Sequence, residues 1–437
     1  MQAPGQTAIR GRLLSFAANP QESGGPASAS YLEDGLVVMQ DGLVVAVGDA
    51  LSLLSALPPG TPIDHHRDRL VMPGFIDLHL HYPQTRVIAS YGEQLLDWLQ
   101  KYTFVEEQKY RDPEHAAAGA GFFIDELLRN GTTSAAVYCT VHAESTEAFF
   151  AASERRGTRM IAGKVMMDRN APAGLLDTPR SGHDESEALL CKWHGRGRQL
   201  YAISPRFAIT STEEQLRMAG ALARQYPDAY VQTHLCETPD EIALVKALFP
   251  SDASYTAVYG RHGLLGPKSI MGHCIHMSDD EVAMLGASGS IAAFCPTSNL
   301  FLGSGLFDLA RLRHAPKPVK VGLATDIGGG TSYSMLRTAA EAYKVLQLQR
   351  QAFPALAAFD MMTRGNAEAL GLADKIGRLT PGLEADIVVL DARATPAMAH
   401  RMESIDGDLA EELFVLMTMG DDRNVAATYV AGRRVEG

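Results

Sequence analysis

The residues best placed to do chemistry are His79 and His81, in the run Phe75-Ile-Asp-Leu-His79-Leu-His81. In an extended strand, side chains two apart project to the same face, so both imidazoles enter one space. Neutral imidazole is a common zinc ligand, and two from one strand supply half of a tetrahedral site on a rigid support. A single buried histidine is more often a hydrogen-bonded core residue. The pair, coming after an apolar strand start, favours a site.

Other polar residues fall at the ends of apolar runs in the same way. His234 closes the run 230–234, His273 closes 269–273, and Asp326 follows 319–325. Fourteen histidines scattered at random would rarely collect like this. Glu237, three residues past His234, can stand beside a metal without binding it. Zinc lowers the pKa of water to about 7, and a neighbouring carboxylate can then carry the proton to a leaving group. The bland reading of Glu237 is a charge favouring the N-terminus of the helix that begins at Pro239. Ser204-Pro205-Arg206-Phe207 ends another run. Its arginine can donate to a carbonyl or carboxylate oxygen, and its phenylalanine offers a face for a planar ring. A surface arginine and a core phenylalanine are the plain alternatives. Gln84 carries both a donor and an acceptor for an amide-like edge.

These positions need elements to bring them together. Eight apolar runs stand out, at 71–79, 132–139, 159–167, 200–205, 230–234, 269–273, 290–294 and 319–325. Amphipathic segments such as 113–129, 212–225, 239–248 and 279–286 lie between them. Strands apolar on both faces, alternating with helices, indicate a buried parallel sheet. Eight such units predict an α/β fold, a (β/α)8 TIM barrel, in which all strand C-termini meet at one mouth. Residues 7–15, 35–39 and 43–47 read as strands, with hairpin turns at Asp34-Gly35 and Asp41-Gly42. Near the other end, 385–390 and 427–435 are also β-rich. The expected organisation is therefore a small β-sandwich formed from both termini, residues 1–70 and 377–437, around a barrel at 71–376.

Composition limits the alternatives. The chain has 437 residues, 46% hydrophobic and 21% charged, and a formal net charge of −12. That charge argues against nucleic acid or an anionic membrane as partner, though not against a nucleobase as a small substrate. No apolar stretch is long enough to span a bilayer and no apolar leader opens the chain, so a cytoplasmic setting is expected. Only the first few residues and the Gly-, Ser- and Pro-rich stretch 21–30 suggest disorder. The five cysteines, Cys139, Cys191, Cys236, Cys274 and Cys295, contain no C-x-x-C pair, and most read as small core residues.

Three decoys are set aside. Gly119-x-Gly121 falls inside a helix and lacks the third glycine of a dinucleotide loop. His142-x-Glu144 is followed by no P-C-x-x-C, which rejects the other zinc-deaminase architecture. Lys164 lies in the third run, whereas the bridging lysine of two-metal hydrolases ends the fourth, and here the fourth ends in Pro205.

With these residues assembled, the sequence resembles the amidohydrolase superfamily over nearly its whole length and, within it, is similar to the guanine deaminases. The motifs are 73–84 (PGFIDLHLHYPQ), 163–170 (GKVMMDRN), 204–207 (SPRF), 234–238 (HLCET), 325–330 (TDIGGG) and 377–390 (GRLTPGLEADIVVL). The narrower likeness rests on Gln84, the SPRF run and the Gly-Lys-Val segment. Tyr82 departs from the smaller residue frequent in relatives and is expected to reshape the pocket slightly.

The resemblance implies one Zn²⁺ per subunit, with His79, His81, His234, His273 and Asp326 as the metal set and His273 beside the ion or its water. It implies hydrolysis of guanine to xanthine and ammonia, by zinc-activated water attacking C2. Glu237, Asp326 and His273 would be catalytic. His81, Gln84, Arg206, Phe207, His234, Glu237 and Asp326 would contact the base, and a homodimer is implied. Rival readings are a sibling deaminase or dechlorinase acting on 8-oxoguanine, a triazine or cytosine, and a binuclear amidase. A non-catalytic scaffold is the rival from another class.

Overall fold

The structure is a computed structural model that describes residues 5–22, 28–92 and 94–435. Of the stretches where composition allows disorder, residues 1–4 and 23–27 lie outside the described residues. The chain opens with Thr7–Phe16 (β1), Ala29–Gln40 (β2), Leu43–Asp49 (β3) and Ile63–Pro73 (β4). The barrel strands follow: Phe75–His81 (β5), Thr132–Tyr138 (β6), Arg159–Gly163 (β7), continued by Val165–Met166 (β8), and Leu200–Pro205 (β9). Tyr230–Leu235 (β10), Ser269–His273 (β11), Ile291–Phe294 (β12) and Lys320–Leu323 (β13) complete them. The chain then returns through Ile387–Leu390 (β14), Val425–Val430 (β15) and Arg433–Arg434 (β16).

Strands β5 to β13 pair in parallel in chain order, so the expected barrel is present, with every strand position near its predicted run. Its seam, between β13 and β5, is closed by side chains as much as by backbone. Asn366 Nδ2 donates to the carbonyls of Ile76 and Leu323, and its Oδ1 accepts from Leu323 N–H. Asp326 N–H donates to the His79 carbonyl at 2.8 Å. An asparagine that satisfies both edges removes the cost of leaving buried backbone groups unpaired.

The terminal strands form one mixed sheet in the order β16-β15-β14-β4-β1-β2-β3. Its far strand curls back on the opposite half. Val44 N–H donates to Leu383 O, Gly382 N–H to Val44 O, and Ala385 N–H to Gly42 O. Ile9, Leu13, Val37, Val71, Ile387 and Tyr429 pack inside that fold-over as a core of their own.

Three local readings change. The run 71–79 divides, because Val71, Met72 and Pro73 belong to β4 of the terminal sheet and the barrel strand starts at Phe75. Gly74 is the hinge. Its N–H donates to Asp386 O at 2.9 Å, and a Cβ there would stand 2.3 Å from Thr133 Oγ1. Both sides are apolar, so periodicity does not reveal the switch of sheet. Asp34-Gly35 is not a turn but lies inside β2. Asp34 is held by Arg10 on β1, and Gly35 lets Leu13 lie where a Cβ would be 2.5 Å away. By contrast Asp41-Gly42, both at positive φ, does turn β2 into β3. The C-terminal segment also contains helices Pro396–Met402 and Leu409–Met419, and Phe414 of the latter packs edge-on to Tyr343 of Met335–Leu348.

Candidate active site

At the C-terminal mouth of the barrel the side chains from four strand ends converge. His79 and His81 leave β5, His234 leaves β10, His273 ends β11, and Asp326 follows β13. Asp326 Oδ1 lies 3.3 Å from His79 Nε2 and 3.5 Å from His81 Nε2. His81 Nε2 faces His234 Nε2 at 3.2 Å, and His273 Nε2 is 3.8 Å from Asp326 Oδ2. Two overlapping groups, His79-His81-His234 and His79-His273-Asp326, have ligand atoms within 4.8 Å of one another.

These residues fit a metal ion. Nε2 of His79, facing the cluster, is buried without a hydrogen-bond partner among the described residues, which is costly unless something else engages it. Burial holds His79, His81 and His234 below the ordinary imidazole pKa, so each is kept in the neutral, ligating form. Asp326 is pushed up by burial but pulled down further by His79 and His273, and its carboxyl stays anionic. His234 Nδ1 donates to the Arg206 carbonyl at 2.7 Å, leaving Nε2 as the free lone pair. Tyr138 stacks on the His81 ring, centroids 4.5 Å apart, and sets its plane.

Part of this placement is made by Asp77, which offers the cluster no ligand atom. Asp77 accepts from Thr325 Oγ1 at 2.5 Å, from Thr325 N–H at 3.1 Å and from His79 N–H at 3.3 Å, tying the two ligand-bearing strands together. Burial pushes its own carboxyl up to about 7. Backbone strain also collects here: His273 and Asp326 sit at φ 72° and 52°, and Cys236 and Cys274 at 52° and 51°. Left-handed non-glycine residues persist where the surrounding packing over-determines them.

Glu237 stands 3.3 Å from His273 Nε2 through Oε2, and Ser304 Oγ donates to its Oε1 at 2.9 Å. Burial pushes its carboxyl up to about 7, with Glu241 and Asp326 adding and His273 and Ser304 opposing. A cation among the histidines opposes that rise. The helix-capping alternative for Glu237 is filled by its neighbour. Helix Pro239–Leu248 has a capping box in which Glu241, not Glu237, accepts from the Thr238 N–H. His273 Nδ1 pairs with Asn299 Oδ1 at 2.9 Å, and although burial works against its charge, Glu237 and Asp326 raise its pKa overall.

Beside this cluster is a part-open cavity, about 370 Å³ with the solvent at its mouth included, lined by His81, Gln84, Arg206, Phe207, His234, Glu237, His273 and Asp326 among others. Leu95, Trp98, Leu99 and Leu302 supply its apolar walls. Arg206 and Gln84 meet on one buried carboxylate: Glu107 accepts from Arg206 Nη1 at 2.8 and 2.9 Å and from Gln84 Nε2 at 2.9 Å. The segment 168–170 clamps the turn behind Phe207, with Arg169 donating to the Ala208 and Ile209 carbonyls and Asn170 to Ile209.

Tyr82 does not reshape the pocket. It is fully buried on the other side of the strand, donates to Ser145 O at 2.7 Å and packs against Tyr110 and Phe149. Lys164 pairs with Asp177 at 2.7 Å and Glu185 at 3.4 Å, away from the histidines. Gly119 leaves room for Tyr110, whose hydroxyl would be 2.8 Å from a Cβ there. Residues that the sequence reading missed are Asp77, Glu107, Asn299, Ser304 and the apolar walls. Asn299 and Ser304 follow the seventh barrel strand, and the strand-end rule could have found them. Glu107 lies in a helical excursion after β5, where one sequence carries no such signal.

A parallel barrel with candidate metal ligands along its C-terminal rim is the arrangement of a metal-dependent hydrolase, and comparison with known proteins narrows that class. The amidohydrolase family model matches residues 70–435. Guanine deaminase of Escherichia coli (strain K12) is 48% identical over 431 residues, covering 98% of this chain and 97% of that one. The solved E. coli guanine deaminase superposes with a TM-score of 0.95, covering 98% of this chain and 99% of that one. The guanine deaminase from C. acetobutylicum, solved with guanine bound in the active site, has a TM-score of 0.86 at 29% identity, covering 99% and 100%. The chain belongs to the amidohydrolase family and, within it, to the guanine deaminases.

Proposed function

We infer that this protein hydrolyses guanine to xanthine and ammonia with one zinc ion per subunit. The observation that carries the reading is the juxtaposition of the five-residue ligand set and Glu237 with a cavity lined by Gln84, Arg206 and Phe207. His79, His81, His234 and Asp326 would hold the ion, with His273 beside it. When bound, zinc acts as a Lewis acid that makes water acidic enough to attack at neutral pH.

The chain's own residues manage the protons. Asp326 and His273 orient the attacking water and take up its proton as oxygen bonds to C2 of guanine. Glu237, beside His273 and held by the Ser304 hydroxyl, protonates ring nitrogen N3. It then carries the proton of the new C2 hydroxyl to the 2-amino nitrogen. The C2–N bond breaks, ammonia leaves, and the N3–H and C2 carbonyl of xanthine remain. Arg206 faces O6, Gln84 faces the neighbouring edge, and Phe207 packs on the ring.

The test is direct. Purified protein incubated with guanine should release ammonia and xanthine in equal amounts; no release with zinc supplied would refute the substrate. A homodimer in a cytoplasmic setting completes the proposal. No helix among the described residues is long and apolar enough to cross a membrane. Light scattering at a single-subunit mass of 47.1 kDa would refute the dimer.

A further inference from the structure

We propose that Glu107 is a positioning residue that decides which purine edge the pocket reads, making it select an oxo group over an amino group at C6. The proposal rests on the guanine reading above and adds a cause for its selectivity.

Glu107 closes the short helix Phe104–Glu107 and is fully buried. Its Oε1 accepts from both Gln84 Nε2 and Arg206 Nη1, each at 2.9 Å, and its Oε2 accepts from the same Nη1 at 2.8 Å. On the other side of Gln84, the Gly328 N–H donates to Oε1 at 3.2 Å. A carboxylate only accepts and a backbone N–H only donates, so the Gln84 amide has a single orientation. Its nitrogen faces Glu107 and its oxygen faces Gly328. One lone pair of Gln84 Oε1, the second Nε2 hydrogen of Gln84 and the Nε and Nη2 hydrogens of Arg206 have no partner among the described residues, and both side chains line the cavity. Arg206 is steadied further by lying over the Phe104 ring, 5.3 Å from its centroid.

The wall therefore presents an acceptor beside a donor. Guanine offers the complement, an O6 acceptor beside an N1–H donor. A 6-amino purine offers the reverse, an amino donor beside a bare N1, and meets like with like. Glu107 reaches the base only through Gln84 and Arg206. Replacing it by glutamine puts an amide where only acceptors stood. With its oxygen at the Oε1 position it still accepts from Gln84, but its NH₂ then opposes Nη1 of Arg206; with its oxygen at the Oε2 position its NH₂ opposes the Gln84 NH₂ and Nη1 together. Either way a donor meets a donor, and the joint placement of Gln84 and Arg206 is lost.

The measurement compares guanine with 2,6-diaminopurine, which carry the same 2-amino leaving group and differ at C6 and N1. The wild type should prefer guanine by on the order of 100-fold or more in kcat/KM, because mismatched polar groups buried at a reading edge are strongly rejected. Glu107→Gln should lose most of that preference, with guanine falling at least about 50-fold and 2,6-diaminopurine changing less than about 3-fold. Zinc content and Tm serve as controls for folding. Equal losses on both substrates, or an unchanged preference, would overturn the proposal while leaving the guanine reading intact. A wild type inactive on guanine would instead refute that reading. If Glu107→Gln does not fold, Glu107→Asp, which keeps the acceptor, should retain the preference at lower activity; its collapse overturns the proposal.

Discussion

Oε2 of Glu237 lies 3.3 Å from Nε2 of His273, while Oε1 is held by the Ser304 hydroxyl at 2.9 Å. The carboxylate is thereby fixed at the edge of the ligand cluster and not turned into it. Glu237→Gln keeps the shape and the Ser304 bond but cannot shuttle a proton. Zinc content by atomic absorption should match the wild type, while kcat falls by about 10²–10⁴-fold. Near-normal turnover in that variant would sink the assigned role.

Gly272 is not a ligand, yet a Cβ on it would stand 2.6 Å from Cε1 of His79. His79 is fully buried and the ring has nowhere to retreat. Gly272→Ala should displace that ring and weaken the metal on the order of 10–100-fold, the range seen when residues supporting a ligand are altered. Competition against a graded series of chelators measures this. Unchanged affinity would mean the strand shifts to absorb the methyl.

Chelation should lower stability as well as activity. The unpartnered Nε2 of His79, buried in the cluster, is engaged when an ion is held, and an ion that binds the folded state alone stabilises it by mass action. At free zinc near 1,000 times Kd this is about 4 kcal/mol. Calorimetry should show Tm falling on chelation and recovering when zinc is restored, and a Tm indifferent to both would contradict the metal set.

The terminal sheet is docked on the barrel by Arg159 and Arg198, which pair with Glu384, while Arg198 also pairs with Asp386. Burial pushes the Glu384 carboxyl up, but the two arginines outweigh it and hold it below its ordinary 4.5. A folded pKa below the unfolded one means the contribution is whole above the unfolded value and is lost as pH falls through the folded one. Arg198→Met should cost about 3 kcal/mol at pH 7, since it leaves largely buried carboxylates short of a partner. Urea unfolding at pH 7 and at pH 3 should show that difference shrinking in acid. A constant difference would assign the effect to packing.

The barrel was legible from its eight apolar runs because a strand buried on both faces has a simple signature, and strand ends then locate the mouth. Ligand positions followed from the same rule: His79, His81, His234, His273 and Asp326 are all polar residues that close or follow an apolar run. The boundary at Gly74 was not legible, since both sheets demand the same apolar residues there. Nor was Asp34-Gly35, where a pair that usually turns the chain stays extended because Arg10 and Leu13 on the next strand fit it.

By itself, then, the sequence determined the fold class, the rim of candidate metal ligands and the family, because these rest on local patterns of residue type and spacing. Tertiary structure alone decided how the polar groups of the pocket wall are held. Glu107 meets Gln84 across 23 positions and Arg206 across 99, and Asp77 meets Thr325 across 248. Whether a buried carboxylate orients an amide or is merely solvated depends on what the fold brings to it, and no spacing along the chain encodes that contact.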